Sequence, residues 1–435
     1  MGKSFQLSGF QLLIINCSFL IISSCSVSKQ IAHSAKADVL DTKALQTAHV
    51  GISIFDPAAK KYLYNYQGDK YFVPASNTKL PTCYAAMKYL GDSLVGLRYQ
   101  TLGDSSVIIW ETGDPSFLHP DYKNQPVFGF LKKFSRISFW GASFNDFLGS
   151  GWSWNDYKEY YMAQRSGFPM YGNVIRLKWE SPEKVLSTPQ FFQKDFFAAQ
   201  KMNNGFEVIK SWDDNKIIFW NGIEKNKEVP FRPDMGTISG LLEDTLGNKV
   251  FVTYDELRFK KSIIHSQPTD SLLKPMMHRS DNFFAEQSLL MVSNERLGVM
   301  NDEKIIDTLL KTDFKDLPQK PRWVDGSGLS RYNLFTPQDF VAILNKMKNE
   351  FGMERIKVIL PTGGEGTISS YYKADSGYIY GKTGTLSGVV AFSGFLYTKK
   401  GKLLIFSTLV NNHQATATEV RRAVEKFLQG IRNKY

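Results

Sequence analysis

The sequence predicts an α+β chain: an antiparallel sheet flanked by helices, with a mostly-β region inserted in the middle. Three observations carry this. Strand-like alternation runs through residues 49–55 and 61–66 near one end and through 389–397 and 403–410 near the other, each pair joined by a short turn. Apolar residues recur at helical spacing after Lys79, after Asn282 and from Thr416. Between about Leu97 and Tyr254 the texture changes to short strand-like runs broken by loops.

At 435 residues the chain can bury a full core and form more than one domain. The net charge of +11 is dispersed rather than clustered, which argues against a nucleic-acid partner. The first residues predict an export signal: Lys3 supplies the positive region, and Leu12–Ile22 an apolar core too short to span a membrane comfortably. That core ends at Ser23-Ser24-Cys25, where a bacterial lipoprotein signal would be cleaved after residue 24 and Cys25 lipidated. With Cys17 removed and Cys25 acylated, Cys83 is left alone and no intramolecular disulfide is expected.

Residues 25–45, polar and small, read as a flexible tether. His49–Phe55 and Lys61–Tyr66 then form the first hairpin, with Asp56-Pro57-Ala58 as turn chemistry. Pro74-Ala75-Ser76-Asn77-Thr78-Lys79 opens a helix that stops at Gly91, and Pro81 sits late for a first-turn proline. Ser106–Trp110 and Val174–Trp179 are strand-like runs of the inserted region. Ser280-Asp281-Asn282 precedes a helix with an apolar face, with Ser280 or Asp281 available to cap it. Asp325–Arg331 is a glycine-rich structural turn. Gly381-Lys382-Thr383-Gly384-Thr385 leads into the last two strands and a closing amphipathic helix. The resulting organisation is 1–24 signal, 25–45 tether, 46–96 and 259–435 as two parts of one domain, and 97–258 inserted.

Ser76 and Lys79 share a helix face, so a hydroxyl and an amine can meet. A serine becomes a nucleophile when a base removes its proton, and a neutral lysine can be that base. The spacing alone is weak, because Ser-x-x-Lys recurs at Ser26, Ser181, Ser271 and Ser370. Its weight comes from order: Ser76-x-x-Lys79, then Ser280-Asp281-Asn282, then Lys382-Thr383-Gly384, the triple that marks penicillin-binding proteins and class A β-lactamases. Burial and a second cation, Lys382, would keep Lys79 neutral. A nucleotide-binding loop is excluded at Gly381, since Ser376 stands where its first glycine belongs. The six histidines lack paired-ligand spacing, so no metal is expected.

Pro-Ala-Ser76-Asn-Thr-Lys79-Leu, Ser280-Asp-Asn-x-x-Ala-Glu, Asp325-Gly-Ser-Gly-Leu-Ser-Arg and Gly381-Lys-Thr-Gly-Thr-Leu together resemble the D-alanyl-D-alanine carboxypeptidase/endopeptidase family, peptidase S13. Its class C, low-molecular-mass penicillin-binding proteins are the nearest likeness. The resemblance implies the β-lactamase/transpeptidase-like fold, with the sheet built from both chain ends, and no cofactor. It implies Ser76 as nucleophile, Lys79 as base, and Ser280 as relay of a proton to the leaving group. Asn282 would hold the substrate backbone or orient the lysine, Lys382, Thr383 and Thr385 the terminal carboxylate, and the N–H groups of Ser76 and Thr385 the oxyanion. Peptidoglycan stem peptides are the implied substrates and β-lactams the inhibitors, on the periplasmic side of a bacterial membrane. Ser76 and Ser280 stand 204 residues apart, which looks short for the family's fuller members and implies a reduced inserted subdomain. Two rival readings stay open: a silent penicillin-recognition or cell-wall scaffold module, and a β-lactamase or esterase on the same fold.

Overall fold

The computed structural model describes residues 27–141, 144, 146–181, 184–199, 208–220, 226–254 and 261–435. The signal and Cys25 lie outside these residues. The main sheet is five-stranded and wholly antiparallel, in the order Ile379–Leu386, Val389–Tyr397, Leu403–Asn411, His49–Asp56, Lys61–Tyr66. Strands from the two ends of the chain therefore sit side by side, with Ile52 opposite Thr408.

Period-2 alternation sends successive side chains to opposite layers. Ala391, Phe395, Ile405 and Leu409 join a core with the helices Lys79–Tyr89, Thr269–His278, Asn282–Leu297 and Pro337–Ile359. Their neighbours Val390, Phe392, Phe406 and Val410 face the closing helix Ala417–Lys434. That helix covers the second face with Val420, Val424, Phe427 and Ile431.

The tether expectation fails for its described part. Residues 27–35 are helical and run on into a π-helical turn, Lys36–Leu40. Ile31, Ala35, Val39 and Leu45 are buried against the closing helix. Four apolar residues spaced along a polar segment were enough to anchor it, because an unpartnered face of that helix was available.

The inserted region is bounded by pairing rather than by texture. A five-stranded sheet joins Lys249–Thr253, Arg136–Trp140, Ser106–Trp110, Ser93–Thr101 and Ser262–Pro268 in that order. A boundary at 97 thus cuts a strand, and Ser262–Pro268 belongs to the insertion because it pairs with Ser93–Thr101. Three of its strands are parallel neighbours, joined through helices Pro126–Leu131 and Met235–Leu246 that pack on its core. Two three-stranded sheets complete the insertion.

Candidate active site

The serine segment is held in an unusual path by its surroundings. Val73 donates its N–H to Asn411 Oδ1 at 2.7 Å, and Asn411 Nδ2 donates back to Val73 O at 3.0 Å. Ala75 then takes a left-handed conformation, φ +47°, which a non-glycine residue adopts only under external constraint. Ala75–Thr78 is a 3₁₀ turn and Lys79–Tyr89 the α-helix proper. Pro81 is therefore the third residue of the α-helix, where the missing N–H falls among groups that have no intrahelical partner anyway. Gly328, φ +84°, lies against the Ala75 carbonyl so closely that a Cβ would come within 2.0 Å of its oxygen.

Lys79 is wholly buried. Its amine lies 3.1 Å from Ser76 Oγ and donates to Asn282 Oδ1 at 2.6 Å and to the Ser327 carbonyl at 2.7 Å. Burial lowers its pKa to about 8, against the opposing pull of the Asp325, Glu286 and Asp281 carboxylates. Asn282 opens its helix and donates Nδ2 to Tyr161 O at 2.9 Å, which fixes which end of the amide faces the lysine. Asp281 is the cap, accepting from Phe284 N at 3.0 Å.

Ser280 occupies the left-handed turn between two helices, φ +61°, and Lys382 Nζ donates to its Oγ at 2.9 Å and to Thr383 O at 2.8 Å. Lys382, also wholly buried, is pushed well below the ordinary lysine range, first by desolvation and then by Lys79. The sequence expectation had Lys382 as the cation that neutralises Lys79. In the structure burial is the first cause for both lysines, and their mutual repulsion disfavours charging the two together.

Lys382 and Gly384 face the serine turn; a Cβ on Gly384 would lie 2.5 Å from Pro74 O and 3.1 Å from Ser76 N. Thr383 points the other way and donates to Thr367 Oγ1 at 2.7 Å. Thr385 is exposed and accepts from Arg421 Nη2 at 2.6 Å. Ser76, Ser280, Asn282 and Thr385 line one cleft of about 520 Å³, with Trp152 and Tyr161 from the inserted region completing its wall.

The charged support beneath the cleft escaped the sequence reading. Glu286, buried, accepts from Ser327 N at 2.8 Å and thereby holds the loop whose carbonyl receives Lys79. Desolvation, with Asp325 nearby, raises its pKa to about 7. Asp325 accepts from Gly328 N, Ser330 N, Asn333 Nδ2 and Trp152 Nε1, so the glycine-rich turn is structural, as expected. Arg165, fully buried, pairs with Asp302 at 2.5 Å and Asp146 at 2.7 Å, and stands 3.6 Å from Glu286. The signal for Glu286 was present in the sequence: a charge between Phe283, Phe284 and Ala285 on one side and Leu289, Leu290 and Met291 on the other.

Comparison with known proteins agrees with this architecture. The profile of the D-Ala-D-Ala carboxypeptidase 3 (S13) family matches residues 32–205 and 262–431. D-alanyl-D-alanine carboxypeptidase DacB of Haemophilus influenzae is 28% identical over 188 residues, 39% of this chain and 37% of that protein. The D-alanyl-D-alanine carboxypeptidase of Actinomadura sp. (strain R39) is 37% identical over 167 residues, 35% of this chain and 30% of that protein. These matches span under two fifths of either relative. The crystal structure of penicillin binding protein 4 from Haemophilus influenzae superposes with a TM-score of 0.71 at 19% identity, covering 92% of this chain and 98% of that one. At that identity the likeness concerns the fold. Matched on both sides of residues 206–261, the chain belongs to the D-Ala-D-Ala carboxypeptidase 3 (S13) family.

Proposed function

We propose that the chain is a serine-type D-Ala-D-Ala carboxypeptidase that acts on peptidoglycan stem peptides and is acylated by β-lactams. The observation that carries this reading is the Lys79 amine, wholly buried and 3.1 Å from Ser76 Oγ. An amine with a pKa of about 8 is neutral in a useful fraction near neutral pH and can accept the hydroxyl proton. Ser76 Oγ attacks the carbonyl of the penultimate D-alanine, and its proton passes to Lys79. The oxyanion is held by the N–H groups of Ser76 and Thr385, a role supported by the close approach of Gly384 to Ser76 N. As the C–N bond breaks, Ser280, held by Lys382, gives its proton to the departing amine and takes in its place the proton that Lys79 accepted from Ser76, which returns Lys79 to the neutral form. Asn282 holds Lys79 in line, and Lys382 and Thr385 meet the terminal carboxylate; Thr383, expected there from the sequence, faces the other side of its strand and bonds Thr367 instead. Water then hydrolyses the ester on Ser76.

Labelling by a fluorescent penicillin beside D-alanine release from a peptide ending in D-Ala-D-Ala tests this. Both are expected of the wild type, and neither of Ser76→Ala. Labelling without release would favour a recognition module, and rapid turnover of the penicillin a β-lactamase. Release of the cross-linking residue from a dimeric stem peptide would extend the activity to endopeptidase action.

We also propose lipid attachment at Cys25, on the sequence pattern that ends its apolar core. Because residues 27–40 are folded against the closing helix, an acyl chain there would hold the domain close to the periplasmic face of the membrane rather than on a leash. Loss of Cys25→Ser from the membrane fraction is the expected result; its retention there would remove the anchor.

A further inference from the structure

Arg421 is the fifth residue of the closing helix Ala417–Lys434 and reaches the rim of the catalytic cleft. Its Nη2 donates to Thr385 Oγ1 at 2.6 Å, and Thr385 lines the cleft beside Ser76. The acids near it on the same helix are engaged elsewhere. Glu425 accepts from Arg422 Nη1 and from Tyr372 N, and Glu419 closes the capping box with Thr416. Among the described residues no carboxylate pairs with Arg421, and its Nε is buried without a hydrogen-bond partner. Its other neighbour is the Tyr371 ring, 5.8 Å from the guanidinium carbon.

An unpaired guanidinium at the edge of a substrate cleft is a ready counter-charge for an anion, and it stays charged at every working pH. The direction of its hydrogen bond adds to this. Thr385 Oγ1 accepts from Arg421, so the threonine's own proton is left to be donated into the cleft. Lys382 is poorly placed to meet an anion alone, because its amine is wholly buried and already spends bonds on Ser280 Oγ and Thr383 O.

We propose that Arg421 selects substrates with a free C-terminal carboxylate, by orienting the Thr385 hydroxyl and placing a permanent positive charge at that end of the cleft. This rests on the peptidase reading and adds a specificity residue that the three catalytic motifs do not contain.

The test uses Ser76→Ala protein, which cannot turn over, and two ligands: a peptide ending in D-Ala-D-Ala as the free acid and the same peptide as its carboxamide. Calorimetry is expected to show the acid bound more tightly than the amide. Adding Arg421→Ala should weaken the acid about 10- to 100-fold, the range of a charge-assisted hydrogen bond, and the amide by less than about threefold. Arg421→Lys should restore part of the difference. In a Thr385→Val background the loss from Arg421→Ala should shrink, because one of its two routes is gone. An acid-to-amide ratio unchanged by Arg421→Ala, equal weakening of both ligands, or no binding of either overturns the inference. The peptidase reading is judged separately, on wild-type D-alanine release and Ser76 labelling. A chain that fails those and keeps an Arg421-dependent preference for the acid loses the activity but keeps the carboxylate site.

Discussion

The amine of Lys79 and the side-chain carbonyl of Asn282 lie 2.6 Å apart, joining the serine turn to a helix that begins 203 positions later. This bond orients the amine without charging it. An amide oxygen accepts a hydrogen bond from a neutral lysine, whereas a carboxylate in the same place would stabilise the ammonium.

Acylation by a penicillin should follow the neutral form of Lys79. The rate is expected to rise about tenfold per pH unit on the acid side and to level off above about 8, the pKa that burial gives this lysine. Lys79→Arg should lose about 10²–10⁴ in rate at every pH, because a guanidinium does not give up its proton. Stopped-flow labelling between pH 6 and 9.5 measures both, and a flat wild-type profile would remove Lys79 as the base.

Asn282→Asp puts a carboxylate in contact with the amine. The sign is fixed by attraction: an adjacent negative charge favours the ammonium, so the Lys79 pKa rises and the acylation profile moves to alkaline pH by about 1 unit or more. At pH 7 the labelling rate should fall at least about tenfold and recover as pH is raised. Loss that does not recover at high pH would mean that Asn282 acts on the substrate instead.

Arg165→Met should be among the most destabilising single changes in the chain. It leaves the buried Glu286 and the nearly buried Asp302 without their cation, with only Asp146 able to turn out to solvent. Removing one partner of a buried ion pair costs about 3–5 kcal/mol, read from the midpoint and slope of a denaturant titration. Glu286→Gln in the same protein should return part of that loss, since Gln keeps an acceptor for Ser327 N without the charge.

Gly328→Ala is predicted to displace the serine turn. The left-handed φ of +84° costs an L-residue about 1–2 kcal/mol, and the Cβ would also press on the Ala75 carbonyl at 2.0 Å. Penicillin labelling should fall well before the thermal transition is lost. A variant that labels at the wild-type rate would show that Ala75 needs no such neighbour.

The sequence made the site's motif residues legible because each motif is a local pattern and their order is rare by chance. Ser76, Lys79, Asn282, Ser280 and Lys382 do converge. Hairpins at both ends were legible too, since period-2 alternation and turn residues are local signals. What was hidden depends on partners far along the chain. Arg165 looked like an ordinary charge until folding buried it beside Glu286. Arg421 looked like any residue on the polar side of an amphipathic helix. The polar segment 27–45 gave no hint of its four buried apolar side chains, because the surface they cover is made by residues 420–431. Composition described the insertion as mostly β but could not show parallel crossovers, which depend on strand order rather than on strand propensity.

The central place of His49–Asp56 in the main sheet has a consequence for synthesis. A ribosome delivers this strand, and Ser76 soon after it, more than three hundred residues before the strand Leu403–Asn411 that lies beside it. Val73 likewise waits for Asn411. Until Asn411 has emerged and the strand of Lys382 has joined the sheet, Ser76 has neither its turn geometry nor that lysine beside it. The cleft around Ser76 is therefore unassembled in a nascent chain, and it forms only when the strands His49–Asp56 and Leu403–Asn411 pair.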